Sequence, residues 1–307
     1  MQVIKDTTDF SIDGVSSVTL GKFDGVHRGH RALMDRVCAY AEGSPEKPAK
    51  VVFSLLIAQQ VLLTRSERRR VLADAGIDVL IECPFEESVM NMEAEDFVRD
   101  ILRDRLHAAH VVVGADYHFG HKRRGDAAML RKMGEQEGFT VEVLPKVQDE
   151  GGDISCTRIR SALAAGDMER VREMLGFSFF VDGTVTHGRE LGRKIGFPTA
   201  NMIPGKEKLL PPNGVYYVRG HVGGESFGGV TNIGMKPTVN GTELGIETCL
   251  FDCSRDLYGK ELRVELLHFA RPERKFDSIG ELAHQIARDR EAGEAYYRNG
   301  KAEFVPY

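Results

Sequence analysis

Along the first half of the chain, apolar positions gather into short blocks separated by stretches with helical spacing. Residues 15–20 form a β-branched run ending in glycine, residues 51–57 an apolar strand-like run, and residues 78–83 another. Helical patterns occupy residues 31–41, 95–106 and 127–137, the second marked by Phe97, Ile101 and Leu102, while residues 110–113 and 140–144 return to strand. Strand and helix in alternation predict a parallel sheet with helices on both faces. Two further helices, at 157–165 and 168–175, are expected to close this half.

From Phe179 onward the texture changes. Residues 180–185, 214–222, 227–233, 246–251 and 262–269 alternate as short strands, punctuated by turn signals at Pro211-Pro212-Asn213-Gly214 and Gly223-Gly224. Short strands at close spacing predict a small antiparallel barrel or sandwich. One helix, at 278–299, ends the chain's pattern. The boundary falls near Gly176 to Ser178, giving an α/β domain at 1–177 and a mainly β domain at 178–307.

At 307 residues the chain is long enough for two cores. Its net charge of −5 gives no general attraction to nucleic acid or an anionic membrane surface. The local exception, Arg65, Arg68, Arg69 and Arg70, is interrupted by Ser66 and Glu67 and is expected to be a solvated helix face. The opening residues do not form a secretory signal, and the longest apolar run, 51–58, is too short to span a bilayer. The five cysteines include no CxxC pair, so neither a zinc site nor a disulfide framework is expected, and the composition suits a cytoplasmic enzyme. Oligomeric state is left open.

The first chemical constellation is Gly21-Lys22-Phe23-Asp24-Gly25-Val26-His27-Arg28-Gly29-His30, between the first strand and the first helix. Glycines there let backbone approach a phosphate, and a helix N-terminus favours its charge. His27 and His30, three apart, face one side and can donate to a triphosphate as charge moves onto its leaving group. The bland alternative is a glycine-rich turn with two surface histidines. The strand–turn–helix setting favours the phosphate cradle. Ser155 and Thr157 at the next helix start fit either simple N-caps or, with Arg158, an anion clamp. Asp116, after the strand 110–113, fits a ribose or base contact or an ordinary turn.

The strings GKFDGVHRGH, VVVGADYHFGHKRRGD and ISCTRIR, in that order, resemble the adenylyltransferase half of bacterial bifunctional riboflavin kinase/FAD synthetases. The resemblance implies a nucleotidyltransferase-type, Rossmann-like domain in which His27, His30, Asp116, Ser155, Thr157 and Arg158 contact ATP, along with Gly21, Phe23, Asp24 and Gly25 of the first string. It implies attack of the FMN phosphate on the α-phosphorus of ATP with loss of pyrophosphate, His27, His30 and Arg158 serving the chemistry. Two departures are visible. Val52-Phe53-Ser54-Leu55-Leu56-Ile57 stands where the family usually has a Thr-Phe-Asp-Pro-His-Pro-like string, and Cys156 stands where serine is usual.

The second constellation runs from Thr186 to Asn201: THGRELGRKIGFPTAN. It lacks the GKS or GKT of a Walker loop. Its physics is a glycine- and base-rich loop able to close over phosphates, then a rigid Phe197-Pro198 step. Thr199 and Asn201, one apart in an extended segment, present hard oxygen donors to one side, as Mg2+ prefers. Glu247 interrupts an apolar strand, and by pattern alone it is an outward-facing carboxylate. The 186–201 string resembles the riboflavin kinase signature, and 210–216, 231–238, 245–248, 256–259 and 274–276 extend the likeness over the second half. That implies a six-stranded antiparallel barrel. It also implies Glu247 as base for the ribityl hydroxyl, Thr199 and Asn201 as Mg2+ ligands, and Gly188, Gly192, Lys194 and Phe197 near the nucleotide.

The leading expectation is a two-activity enzyme: riboflavin and ATP give FMN, and FMN and ATP give FAD. An alternative is a riboflavin kinase whose front domain is impaired in adenylyl transfer. A non-catalytic flavin-binding protein is a third, disfavoured by the joint presence of Thr199, Asn201 and Glu247. A tRNA-directed nucleotidyltransferase is disfavoured, because the acidic balance of this chain offers no RNA-binding basic face.

Overall fold

A computed structural model of the chain describes residues 1–56, 60–188, 196–238 and 241–299. It divides into two compact units, Met1–Cys156 and a second beginning at Thr157.

The first unit is built on six parallel strands: β1 (Gln2–Lys5), β2 (Ser16–Gly21), β3 (Ala49–Leu56), β4 (Val79–Pro84), β5 (Ala108–Gly114) and β6 (Thr140–Leu144). Their order is β1-β4-β3-β2-β5-β6. Val51, Val52, Val111, Val112 and Val113 are fully enclosed, as strands covered on both faces require. Helices α1 (Arg28–Gly43), α2 (Arg65–Asp74) and α3 (Ala127–Glu137) link successive strands. β2 has β3 on one side and β5 on the other, so the strand order reverses there. The crevice at the carboxyl end of such a strand is where open α/β sheets take ligands.

Three expectations for this unit change. The opening residues, which carry no apolar run, nonetheless supply the edge strand β1, paired with β4. The helix expected at 95–106 splits: Ala94–Asp96 is α-helical, whereas Phe97–Arg105 winds as a π-helix. Its wider turn ends with Leu106 N–H donating to the Ile101 carbonyl at 2.9 Å. The arginine cluster on α2 is a solvated face only in part: Arg65 and Arg70 are exposed, whereas Arg68 and Arg69 turn inward. Arg68 is buried, and Arg68 and Arg69 both hold the fully enclosed Glu82 of β4, at 2.7 and 2.5 Å. Burial alone would raise the Glu82 pKa, but the hydrogen bonds from Arg69 and Arg68 outweigh it and hold the carboxyl below its usual range.

The second unit contains α4 (Cys156–Ala165), all but its first residue, and α5 (Met168–Leu175). Both group by contacts with the strands that follow rather than with the parallel sheet. Those strands are β7 (Phe180–Thr184), β8 (Ala200–Met202), β9 (Gly214–Val222), β10 (Glu225–Thr238), β11 (Gly241–Leu250) and β12 (Glu261–Pro272). They pair antiparallel in the order β7-β12-β9-β10-β11-β8. A bridge between Thr186 and Asn201 joins the segment after β7 to β8, so the sheet nearly closes into a barrel. β8 is too short to show alternation, which is why the residue pattern offers only an extended segment there. The helix α6 (Ile279–Arg298), capped by Ser278, lies over one face and donates the Tyr297 hydroxyl to the Val218 carbonyl.

β9 turns into β10 through Gly223 and Gly224, both left-handed (φ 59° and 81°), with Val222 opposite Glu225. This is the tight hairpin whose twist suits the flanking strands. Open space surrounds both glycines, so a substitution there is felt through the backbone alone. Gly224→Val should cost about 1–2 kcal/mol in denaturant unfolding, whereas Gly223→Asn, which tolerates this region, should be close to neutral.

Candidate functional site

The turn from β2 into α1 carries the first constellation. His27 is the N-cap of α1 rather than a residue within it. Its Nδ1 accepts the His30 backbone N–H at 3.3 Å, so the ring proton sits on Nε2, at the free edge. The two imidazoles stack with centroids 3.8 Å apart, and the enclosed Phe23 ring lies 4.7 Å from His30. His30 Nδ1 is buried and finds no partner among the described residues. A Cβ on Gly29 would come within 3.1 Å of the His27 ring, and one on Gly21 within 3.1 Å of Phe23. These glycines therefore make room for rings. The left-handed backbone falls instead on Phe23 and Val26 (φ 49° and 45°), a rare state for a bulky or β-branched residue that costs about 1–3 kcal/mol each.

Asp24 and Gly25 are buried in the same turn, and Asp24 Oδ1 accepts the Leu62 N–H at 2.9 Å. Asp116 is exposed at the end of β5, where its carboxylate meets Lys146 at 3.1 Å. Lys146 also reaches Asp153 at 3.2 Å, two residues before the half-buried Ser155. No sequence motif marks Lys146; it joins this cluster only through its ion pairs with Asp116 and Asp153. Thr157, exposed, and Arg158, half-buried, occupy the first turn of α4. Burial drives the His27 pKa down to about 4, and burial with the neighbouring His27 drives His30 well below its ordinary value. Both rings are neutral donors at pH 7.

In the barrel, register builds the second constellation. Glu247 of β11 stands opposite Asn201 of β8 on one side and Asn232 of β10 on the other. Opposed residues share a face, so the carboxylate lies between two amides. The neighbouring row, Met202, Ile246 and Ile233, is fully enclosed and faces the other way. Asn201 Nδ2 donates to the Thr199 carbonyl at 3.4 Å, and Thr186 N–H donates to the Asn201 carbonyl at 2.8 Å. Gly188 passes so close that a Cβ there would lie 2.5 Å from the Asn201 amide. Phe197 packs on Val230, Cys249 and Phe251, alongside Tyr217 and Tyr297. Asn232 donates to Glu273 at 3.1 Å. Cross-strand register singles out Asn232, and its side-chain hydrogen bond brings in Glu273; a linear sequence displays neither. Gly192 and Lys194 lie outside the described residues.

The donors Thr199 and Asn201 supply hydroxyl and amide oxygens on one short extended segment. That set fits a hard divalent cation completing its shell with phosphate and water. Among the described residues no cluster of three or more His, Cys, Asp or Glu offers a softer metal site, and all five cysteines are free thiols.

A parallel sheet with a histidine-capped helix at its switch point, and a small barrel with a carboxylate between two amides, define a nucleotide-handling protein of two units. A family model described as FAD synthetase matches residues 10–158, and one described as riboflavin kinase matches residues 175–297. The bifunctional riboflavin kinase/FMN adenylyltransferase of Escherichia coli (strain K12) is 38% identical over 288 residues, covering 89% of this chain and 90% of that protein. That of Haemophilus influenzae is 35% identical, covering 92% and 94%. The crystal structure of a macrolide-efflux protein from Streptococcus pneumoniae matches with a TM-score of 0.84 at 30% identity, over 97% of this chain and 98% of that one. That name concerns transport; among the described residues here, no helix is long and apolar enough to cross a membrane. The chain belongs to the bifunctional riboflavin kinase/FMN adenylyltransferase family.

The buried histidines generate a pH prediction. An unfolded imidazole titrates near 6.5, so between about pH 4 and 6.5 the unfolded chain takes up a proton that native His27 refuses. The stability contribution is intact above pH 6.5 and declines as pH falls through that window, by on the order of 3 kcal/mol for His27. Ring NMR should place the His27 midpoint near pH 4; a midpoint near 6.5 would contradict the packing.

Proposed function

We propose that this chain makes flavin cofactors by two ATP-dependent transfers. It phosphorylates riboflavin to FMN and adenylylates FMN to FAD. The reading is carried by one observation: relatives of this bifunctional kind align over both units, not over one. Adenylyl transfer is assigned to residues 1–177 and riboflavin phosphorylation to residues 178–307. A cytoplasmic location is supported by the free thiols and by ATP as a substrate.

Within residues 1–177 an FMN phosphate oxygen attacks the α-phosphorus of ATP and the bond to pyrophosphate breaks. The nucleophile is already anionic, so the protein's task is alignment and neutralisation rather than proton removal. The tautomer of His27 favours donation from Nε2 toward the leaving phosphates, the N-terminus of α1 favours their charge, and His30 completes the pair. Gly21, Phe23, Asp24 and Gly25 shape this turn, while Asp116, Ser155, Thr157 and Arg158 are assigned to ATP contacts.

In the second unit the nucleophile is a neutral ribityl hydroxyl, and Glu247 accepts its proton as the oxygen bonds to the γ-phosphorus and ADP leaves. What supports Glu247 is its register position between Asn201 and Asn232. Thr199 and Asn201 would hold Mg2+, which when bound neutralises phosphate charge. Gly188, Gly192, Lys194 and Phe197 are assigned to the nucleotide side of this site.

Product analysis tests both assignments. Glu247→Gln should cut riboflavin-to-FMN conversion at least about 100-fold and spare FMN-to-FAD conversion. His30→Ala should do the reverse. FMN accumulating from the unaltered chain without FAD would leave only the kinase.

A further inference from the structure

The carbonyl oxygen of Lys22, inside the turn that carries the histidines, receives hydrogen bonds from two other elements. Ser54 Oγ on β3 donates at 2.9 Å, and Arg68 Nη1 on α2 donates at 3.4 Å. Ser54 is fully enclosed and stands beside Gly21 of β2 and Glu82 of β4. Glu82 in turn accepts Arg68 Nη2 and Arg69 Nη2 on its two oxygens. The first turn of α2 is fixed by a reciprocal cap: Thr64 accepts the Glu67 N–H, and the Glu67 carboxylate accepts the Thr64 N–H. That cap sets where Arg68 and Arg69 arrive.

A buried carboxylate with two arginines is a poor device for stability alone, because desolvation offsets most of the attraction. Its placement suggests another use. The turn holds Phe23 and Val26 left-handed, and such backbone persists only where its surroundings over-determine it. Ser54 and Arg68 fix one peptide of that turn, and the Asp24 side chain, accepting the Leu62 N–H, ties the turn to the segment before α2.

We propose that Ser54, Arg68 and Glu82 form a positioning network for adenylyl transfer. Glu82 orients Arg68, and Arg68 and Ser54 hold the Lys22 carbonyl. The His27–His30 pair is thereby kept at the carboxyl end of β2. These are positioning residues that act through backbone and do not touch the reacting atoms. The proposal rests on the reading that the first unit transfers adenylyl groups.

The test compares Ser54→Ala, Ser54→Thr and Arg68→Lys in the full chain. Both conversions are followed on the same preparations, and His27 is titrated by ring NMR. Ser54→Ala should lower kcat for FMN-to-FAD conversion about five- to tenfold, the worth of one lost hydrogen bond, with a smaller change in KM for ATP. Riboflavin-to-FMN conversion, carried by the other unit, should stay within about twofold on the same scale. The His27 midpoint should rise from about 4 toward 6.5 as the turn loosens. Ser54→Thr should restore both readouts. Arg68→Lys should not, because one ammonium lacks the planar fork that serves a carboxylate and a carbonyl together. An unchanged FAD rate and an unchanged His27 titration in Ser54→Ala would overturn the proposal. Should the unaltered chain make no FAD, the adenylyl-transfer reading fails, and the His27 titration alone decides whether the network positions the pair.

Discussion

The first unit is organised around a turn that must leave a buried strand and start a helix while stacking two imidazoles against an enclosed phenylalanine. Gly21 and Gly29 are needed where rings approach the backbone, so they are not available to take the left-handed conformations. Those fall on Phe23 and Val26, and the neighbouring elements compensate. β3 supplies Ser54, β4 supplies Glu82, α2 supplies Arg68, and the segment before α2 supplies the Leu62 N–H. Strain local to the site is thus balanced by interactions spread across the unit. The result is a pair of stacked, neutral rings, His27 buried and His30 half-buried, with the His27 tautomer already fixed.

The barrel solves a different problem with a different constraint. Its site depends on register, since a one-residue slip of β11 would exchange Glu247 for Ile246 or Thr248, both from the enclosed face. Several features oppose that slip. The Thr231 and Thr248 hydroxyls meet at 2.8 Å on the enclosed face, and Thr231 also donates to the Glu247 carbonyl at 3.0 Å. The two-glycine hairpin sets the pairing of β9 with β10. Asn201 is fixed at the far edge by the Thr186 bridge and by the close passage of Gly188.

How much of this the sequence displays depends on whether the cause is local. The parallel sheet was legible because β2, β3 and β5 each carry a short β-branched or apolar run, at Val18 to Leu20, Val51 to Phe53 and Val111 to Val113, and the turn into α1 because its glycines and histidines are contiguous. β1 was not legible, since it becomes a strand only by pairing with β4. Arg68 and Arg69 of α2 are illegible for the same reason: nothing in a run of charges shows that a carboxylate from another strand enters among them. Ser54 stood out in the linear reading as a departure from the family string, but its bond to Lys22 is a fact of three dimensions. In the barrel, Thr199, Asn201 and Glu247 were readable as residue types, while the alignment of Asn201, Glu247 and Asn232 across three strands was not.

The contrast between the two sites follows from their proposed nucleophiles. A hydroxyl must shed a proton as it attacks, and a carboxylate beside amides suits that task because it can accept one without rearrangement. A phosphate oxygen brings its own charge, and a carboxylate beside it would only repel. Donors are needed there, and neutral ones have a particular merit. A buried imidazole with a depressed pKa donates the same Nε2–H throughout the neutral range, so its contribution does not vary as a surface histidine's would. Desolvation disfavours the imidazolium and so preserves the donor in one state. On the proposed reaction the burial of His27 serves the chemistry as much as the ring itself does, and the strained turn that produces it would have a functional cause.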